Sequence, residues 1–99
     1  MIGNRIRTLR EENKILLRQL AALLDMDTAM LSKMERGERY FKKEDIIRLS
    51  AFFKQPQEEL LTLWLADKVV KTVAGENYKV EALTAAIACV EDIKNRYVR

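Results

Sequence analysis

Histidine is absent from this chain of 99 residues, and cysteine occurs once, as Cys89. One cysteine excludes an intramolecular disulfide, and without histidine neither a catalytic cysteine–histidine pair nor a common zinc site can be assembled. We therefore expect no metal and no cofactor, and we interpret Cys89 as a small apolar residue on a helix. The sequence also has no glycine-rich phosphate loop and no evident pair of catalytic carboxylates, so an enzyme is the class of protein it favours least.

Long apolar runs are missing too. The densest apolar stretch, Leu60 to Ala66, is far shorter than a membrane span, and the N-terminal residues lack the apolar segment of a signal peptide. We expect a soluble, cytoplasmic protein with no membrane partner, and the residues give no sign of a small-molecule ligand.

Glycine and proline are scarce, with three residues and one, whereas leucine, lysine, glutamate, arginine and alanine are frequent. Such a composition favours helices over a sheet. Hydrophobic residues make up 48% of the chain, which suffices for one modest core at this length but not for two independent cores. The composition therefore predicts an all-α protein.

Positive charge exceeds negative charge only slightly, with 18 lysine and arginine residues against 15 acidic ones. The net charge of +3 is by itself a weak indication of a polyanionic partner. Its distribution says more, because five cations stand between residues 33 and 43: Lys33, Arg36, Arg39, Lys42 and Lys43. This segment either faces a polyanion or is an ordinary solvated charged loop.

Two short amphipathic helices joined by a tight turn are predicted between residues 17 and 37. The first covers residues 17–24 and turns three leucines inward: Leu20, Leu23 and Leu24. The turn follows at residues 25–27, where Asp27 can cap the next helix by accepting a backbone N–H. In that helix Leu31 and Met34 share one face, and Gly37 ends it in the left-handed conformation. This pattern is typical of a helix-turn-helix, whose second helix enters the DNA major groove.

One further helix precedes this motif and three follow it. Apolar residues at helical spacing predict a first helix over residues 2 to about 13 and a fourth from about Lys43 to Phe53. Pro56 and the acidic residues after it indicate the start of a fifth helix. From Leu60 onward this helix is apolar on more than one face, so it needs cover on two sides. A break at residues 75–77 precedes a last helix of about Val80 to Tyr97.

Several of these residues together resemble the phage-repressor-like, or Xre-like, family of bacterial helix-turn-helix regulators. The similarity runs from about Ile2 to Leu61, and its marks are Arg10, Leu20-Ala21, Leu31-Ser32, Glu35-Arg36-Gly37 and Leu60-Leu61. We therefore expect a five-helix phage-repressor-like helix-turn-helix domain over residues 1–65, with an additional C-terminal helix in an extension over residues 66–99. The resemblance also implies a partly buried ion pair between Arg10 and Glu35, and the alternative is two solvated charges.

The chain departs from the family pattern at three places. Leu16 and Leu17 replace the polar cap and the glutamine that commonly open the second helix, which removes a habitual contact to the DNA backbone. Phe41 stands where a proline is usual, and Asp25 stands where a turn glycine is usual. Aspartate is tolerable there because it is one of the few non-glycine residues that visit left-handed conformations.

The expected mechanism places the third helix in the major groove of double-stranded DNA. The candidates for base contacts are its outward residues Thr28, Ala29, Ser32 and Lys33. Lys33 can donate to guanine, and Thr28 and Ala29 can contact a thymine methyl group. The candidates for phosphate contacts are Arg36, Arg39, Lys42 and Lys43.

One short module buries little DNA surface, so specificity normally needs two copies on a near-palindromic operator. We expect a homodimer in which residues 66–99 make the contact between copies. The candidate interface residues are Trp64, Val80, Leu83, Ile87, Val90 and Ile93. In the alternative arrangement, the last helix folds back on the fifth within one monomer.

The sequence thus predicts a sequence-specific DNA-binding transcriptional regulator at the bacterial nucleoid, and it leaves open whether transcription is repressed or activated. A restriction-modification controller protein or an antitoxin would have the same features. The alternative from another class is a protein-interaction module that has lost DNA binding and grips a partner with its helical tail. The outward Lys33 and the surrounding cations argue against that alternative.

Overall fold

The computed structural model describes residues 1–97 of the chain. This part is helical throughout, with six helices and no strand, which confirms the all-α prediction. The helices are α1 (Ile2–Glu12), α2 (Leu17–Leu23), α3 (Thr28–Glu35), α4 (Lys43–Phe53), α5 (Gln57–Val73) and α6 (Lys79–Tyr97). None of them, over the residues described, is both long enough and apolar enough to cross a membrane.

The chain forms two compact units, Met1–Val69 and the segment from Val70 onward. The first unit takes in residues 66–69, which were expected to belong to the extension. Residues 98 and 99 of the expected extension lie outside the described part of the chain.

A single apolar core holds the first unit together. Each of α1 to α5 contributes at least one side chain with no exposed surface: Ile6, Leu20, Leu31, Ile46, Leu49 and Leu60. Burying a side chain of this size contributes about 1.5–3 kcal/mol relative to leaving it in water. The core therefore fixes α3, the shortest of these helices but one, against its neighbours α1 and α2.

The prediction that Leu23 turns inward is wrong, because 37% of this residue is exposed. The buried face of α2 is made by Leu20, Ala21 and Leu24 instead, with Leu17 partly buried beside them. These four positions follow the spacing of three and four residues that marks one helix face. Leu23 lies about 100° around the helix from Leu24, on the flank of that face.

Because glycine is scarce, three of the first four helices end near a non-glycine residue with positive φ. Each of α1 to α4 is followed by a residue with positive φ, and only one of these four residues is glycine: Lys14, Asp25, Gly37 and Lys54. A fifth residue with positive φ, Tyr78, lies before α6. At Gly37 the backbone bonds Glu38 N to Lys33 O (2.9 Å) and Gly37 N to Met34 O (3.1 Å) close a Schellman motif. The other three ends make the same pair of bonds without glycine, so each carries a small conformational strain.

The N-terminus of α1 is capped from a distant helix. No side chain of its own first residues caps it, but Asp67 of α5 accepts from Ile2 N at 2.9 Å and pairs with the Met1 amino group at 3.1 Å. A carboxylate at this end also complements the helix dipole. Asp67 thereby joins α5 to the start of α1.

In the second unit, α6 carries an uncovered apolar stripe. Every side chain from Lys79 to Arg96 is exposed except that of Leu83, which is partly buried. Val80, Ile87 and Val90 are 68%, 58% and 65% exposed.

Candidate nucleic-acid interface

The turn between α2 and α3 sets the direction of α3. Asp25 adopts φ 55°, and the Asp27 carboxylate accepts from Met30 N at 2.7 Å, which caps the first turn of α3. Leu31 and Met34 are buried, as their spacing predicts. The opposite face of α3 is therefore turned to solvent.

The predicted base-contact residues lie together on that outer face of α3. Thr28, Ala29 and Lys33 are exposed, and Ser32 is partly buried. The Lys33 ammonium group makes no ion pair within residues 1–97. This face offers one free cation, two small side chains and a hydroxyl group, a combination that suits the floor of a DNA groove.

The end of α3 is held by a bidentate ion pair with α1. Arg10 Nε lies 2.8 Å from Glu35 Oε2, and Arg10 Nη2 lies 3.1 Å from Glu35 Oε1. Both side chains are largely buried, with 15% and 5% of their surface exposed. The hydrogen bond to Glu35 raises the pKa of Arg10 above its ordinary value, although burial acts in the opposite direction, so the guanidinium stays charged.

Arg10 also fixes the connection that leads into α2. Its Nη1 donates to the carbonyl of Ile15 at 3.1 Å. The same guanidinium thus contacts the end of α3 and the α1–α2 connection, and its own side chain starts from α1. Three parts of the first unit depend on this one group.

The closeness of α1 to α3 requires glycine at position 3. A Cβ atom on Gly3 would collide with the carbonyl oxygen of Met34 and lie 2.7 Å from that of Glu35. Both clashing atoms are backbone, which cannot rotate away. Gly3 therefore lets the two helices approach closely enough for Arg10 to reach Glu35.

The α3–α4 loop, residues 36–42, carries the predicted phosphate contacts together with the first residue of α4. Arg39, Lys42 and Lys43 are exposed, and their side chains form no ion pair with any part of the chain that the structure describes. Arg36 differs, because it donates to Ser32 Oγ at 2.6 Å and to Glu38 Oε2 at 2.9 Å. Four cations therefore lie on this side of the unit, and one of them is already paired.

The helix-turn-helix arrangement has a counterpart among known families. A protein-family model described as a helix-turn-helix domain matches residues 2–63, which is more than half of the chain. The chain belongs to this helix-turn-helix family. No curated protein and no solved structure matches it. Membership of the family supports a DNA-binding regulator, and the matched range includes both α2 and α3.

Trp64, which was expected at the dimer interface, lies in the first compact unit, one residue beyond the range that the family model matches. It packs against the core of the first unit, and its indole Nε1 donates to the carbonyl of Phe41 at 2.7 Å. The Lys68 ammonium group lies 3.8 Å from the centroid of the indole ring. The apolar periodicity of α5 indicates that Trp64 belongs to a helix, but only the fold identifies the Phe41 carbonyl as its hydrogen-bond acceptor.

The sequence analysis did not predict the roles of three other residues of the first unit: Gly3, Gln19 and Asp67. Gln19 Oε1 accepts from Leu16 N at 2.8 Å, so it supplies one half of a cap that Leu16 cannot complete. A glutamine three residues into a helix is a visible signal for this cap. A glycine in the first turn of α1 is a second visible signal, whereas nothing in the sequence marks Asp67 as the cap of a remote helix.

The Arg10–Glu35 pair yields a prediction on stability. Replacing either residue with alanine leaves the other charge buried without a partner, so each single change should lower the free energy of unfolding by about 3 kcal/mol. The double change should cost clearly less than the sum of the two. Urea denaturation of the four proteins measures this coupling.

The matched control is the exposed pair Arg7–Glu11 on the same helix, whose side chains are both 56% exposed. Its coupling should be about 0.3–0.5 kcal/mol. Additive effects of Arg10→Ala and Glu35→Ala would mean that the pair does not hold α1 to α3.

Proposed function

We propose that this protein is a phage-repressor-like, or Xre-like, transcriptional regulator that binds near-palindromic DNA as a homodimer at the bacterial nucleoid in the cytoplasm. One observation carries the proposal. The solvent-facing side of α3 leads directly into the α3–α4 loop, and both present cations that make no ion pair within residues 1–97. A reading surface flanked by phosphate-binding groups is what a helix-turn-helix needs.

Base contacts are assigned to the outer face of α3. Lys33 is long enough to donate to O6 and N7 of guanine, and Thr28 and Ala29 can contact a thymine methyl group. Ser32 accepts a hydrogen bond from Arg36, so its own O–H remains available as a donor. All four residues lie within about two turns of one helix, which matches the few base pairs that a recognition helix spans.

Phosphate contacts are assigned chiefly to Arg39, Lys42 and Lys43. Their charges are exposed and unpaired within the described chain, so binding a phosphate costs them no existing ion pair. Arg36 must exchange its bond to Glu38 for a phosphate, so its net gain is smaller. These contacts supply affinity and register but no sequence information.

The second copy is assigned to α6. A helix of 19 residues is barely stable alone in water, and the apolar stripe of α6 is uncovered. Its interface residues are Val80, Leu83, Ile87, Val90 and Ile93. Trp64 is partly buried against the core of the first unit, so the proposed contact is assigned to the α6 residues.

The base and phosphate roles predict different responses to substitution. Lys33→Ala should weaken binding to the preferred DNA site by about 1–3 kcal/mol and have much less effect on random DNA. Lys43→Ala should weaken both alike and reduce the slope of log affinity against log salt by about 0.9, the contribution of one phosphate. Fluorescence anisotropy titrations over a range of salt concentrations measure both quantities.

Lys54→Asn is the control, since it removes one exposed charge at the far end of α4 and asparagine tolerates the positive φ there. It should leave the affinity for both DNAs nearly unchanged. Equal losses of Lys33→Ala on preferred and random DNA would contradict the base-reading role, and a wild-type protein that binds no DNA at low salt would contradict the whole proposal.

If α6 forms the contact between copies, substitutions that introduce charge into its apolar stripe should dissociate the dimer. The full-length double variant Ile87→Lys, Val90→Lys should sediment as a monomer at micromolar concentration, because two lysines would be buried at the contact. Its affinity for DNA with two half-sites should fall by about 100-fold, since the second binding event is no longer intramolecular. Binding to a single half-site should be unchanged.

Ala85→Lys is the matched control, because residue 85 lies on the side of α6 opposite the stripe. This variant should remain a dimer. A wild-type protein that sediments as a monomer, or a double variant that stays dimeric, would place the contact between copies elsewhere or remove it.

A further inference from the structure

A hydrogen bond from Trp64 links the α3–α4 loop to α5. Phe41 is 2% exposed, so its ring anchors the loop in the core, and its carbonyl accepts from Trp64 Nε1 at 2.7 Å. At either end the loop is closed by bonds close in sequence, from Gly37 N to Met34 O and from Lys42 N to Asp45 Oδ2. Between these ends the loop has no helix or strand of its own.

We propose that Trp64 is a positioning residue for DNA binding, because its indole N–H fixes the backbone of the loop that carries Arg39 and Lys42. The proposal rests on the assignment of these cations to DNA phosphates. Trp64 does not itself contact DNA in this arrangement. It acts through the Phe41 carbonyl, which is two residues from Arg39 and adjacent to Lys42.

The surroundings of the indole suit this role. The ring packs against the core, and the Lys68 ammonium group over its face adds a cation–π contact. Both contacts fix the orientation of the indole. Because its N–H then has a fixed position, the hydrogen bond to Phe41 also fixes the backbone of the loop. A partly buried carbonyl that loses its donor is costly, so removal of the indole N–H should destabilise this loop conformation.

A fixed loop raises affinity without adding any charge. Long cations on a mobile backbone must be ordered when they bind phosphates, and a preordered backbone reduces that cost. Loss of the Trp64 bond should therefore weaken binding while the number of cations stays the same. This result differs from that of a lysine substitution, which changes the salt slope as well.

The test uses full-length Trp64→Phe, which keeps an aromatic ring and removes the N–H donor. The amides of residues 39–42 should exchange faster with deuterium than in the wild type. Affinity for random-sequence duplex should fall about fivefold to tenfold, the loss expected for one hydrogen bond, with an unchanged salt slope. A second variant, with the indole N–H replaced by sulfur in a benzothienyl analogue, should behave in the same way and preserves the shape of the ring.

Leu63→Ala is the control, since Leu63 precedes Trp64 on α5 and also packs against the core. It should lower the free energy of unfolding but leave loop exchange and DNA affinity as in the wild type.

If the loop amides of Trp64→Phe exchange as in the wild type and the variant binds DNA equally well, the positioning role is wrong and the proposed DNA binding is unaffected. If the loop exchanges faster but affinity is unchanged, the role is also wrong. If the wild type binds no DNA, the proposed function fails and takes this role with it.

Discussion

The orientation of α3 depends on the ion pair between Arg10 and Glu35. A guanidinium and a carboxylate that are both largely buried are each costly without the other, so the pair acts as a constraint on geometry. Gly3 makes the constraint possible, because its missing side chain lets α1 approach the last carbonyls of α3. The third contact of Arg10, with the Ile15 carbonyl, extends the constraint to the connection before α2. The outer face of α3 is therefore presented by a rigid frame, as a surface that reads DNA requires.

Charge is divided unevenly over the proposed DNA surface. The net charge of the chain is only +3, so long-range attraction to DNA is weak and local placement decides the contacts. Arg36 is held by Ser32 and Glu38 on the side of α3, which orders the helix end. Lys33, Arg39, Lys42 and Lys43 make no ion pair within residues 1–97 and are available for the proposed DNA contacts. Arg39 and Lys42 lie on the loop whose Phe41 carbonyl accepts from the Trp64 indole, so their placement is proposed to depend on that bond.

Much of the fold follows from local patterns in the sequence, and the exceptions have physical causes. Apolar spacing predicted the helices, and the residue types at positions 27 and 37 predicted the N-terminal cap and the C-terminal end of α3. Each of these features depends on residues close in the chain. Leu23 was misassigned because α2 is only seven residues long, and so short a pattern leaves the centre of its buried face ambiguous. Trp64, Asp67 and Gly3 act through partners more than 20 residues away, which spacing cannot reveal. The Arg10–Glu35 pair is equally remote, and it was expected only through resemblance to a family.

In the proposed complex, the outer face of α3 reads base sequence and two copies of the protein read it together. The most direct measurement is to let the full-length protein select fragments from a pool of random duplex DNA and to sequence what is retained. We expect the retained DNA to be enriched in an inverted repeat whose half-sites are centred about 10 base pairs, or one helical turn, apart or a multiple of that distance. Retained DNA with the same sequence composition as the input pool would contradict this expectation.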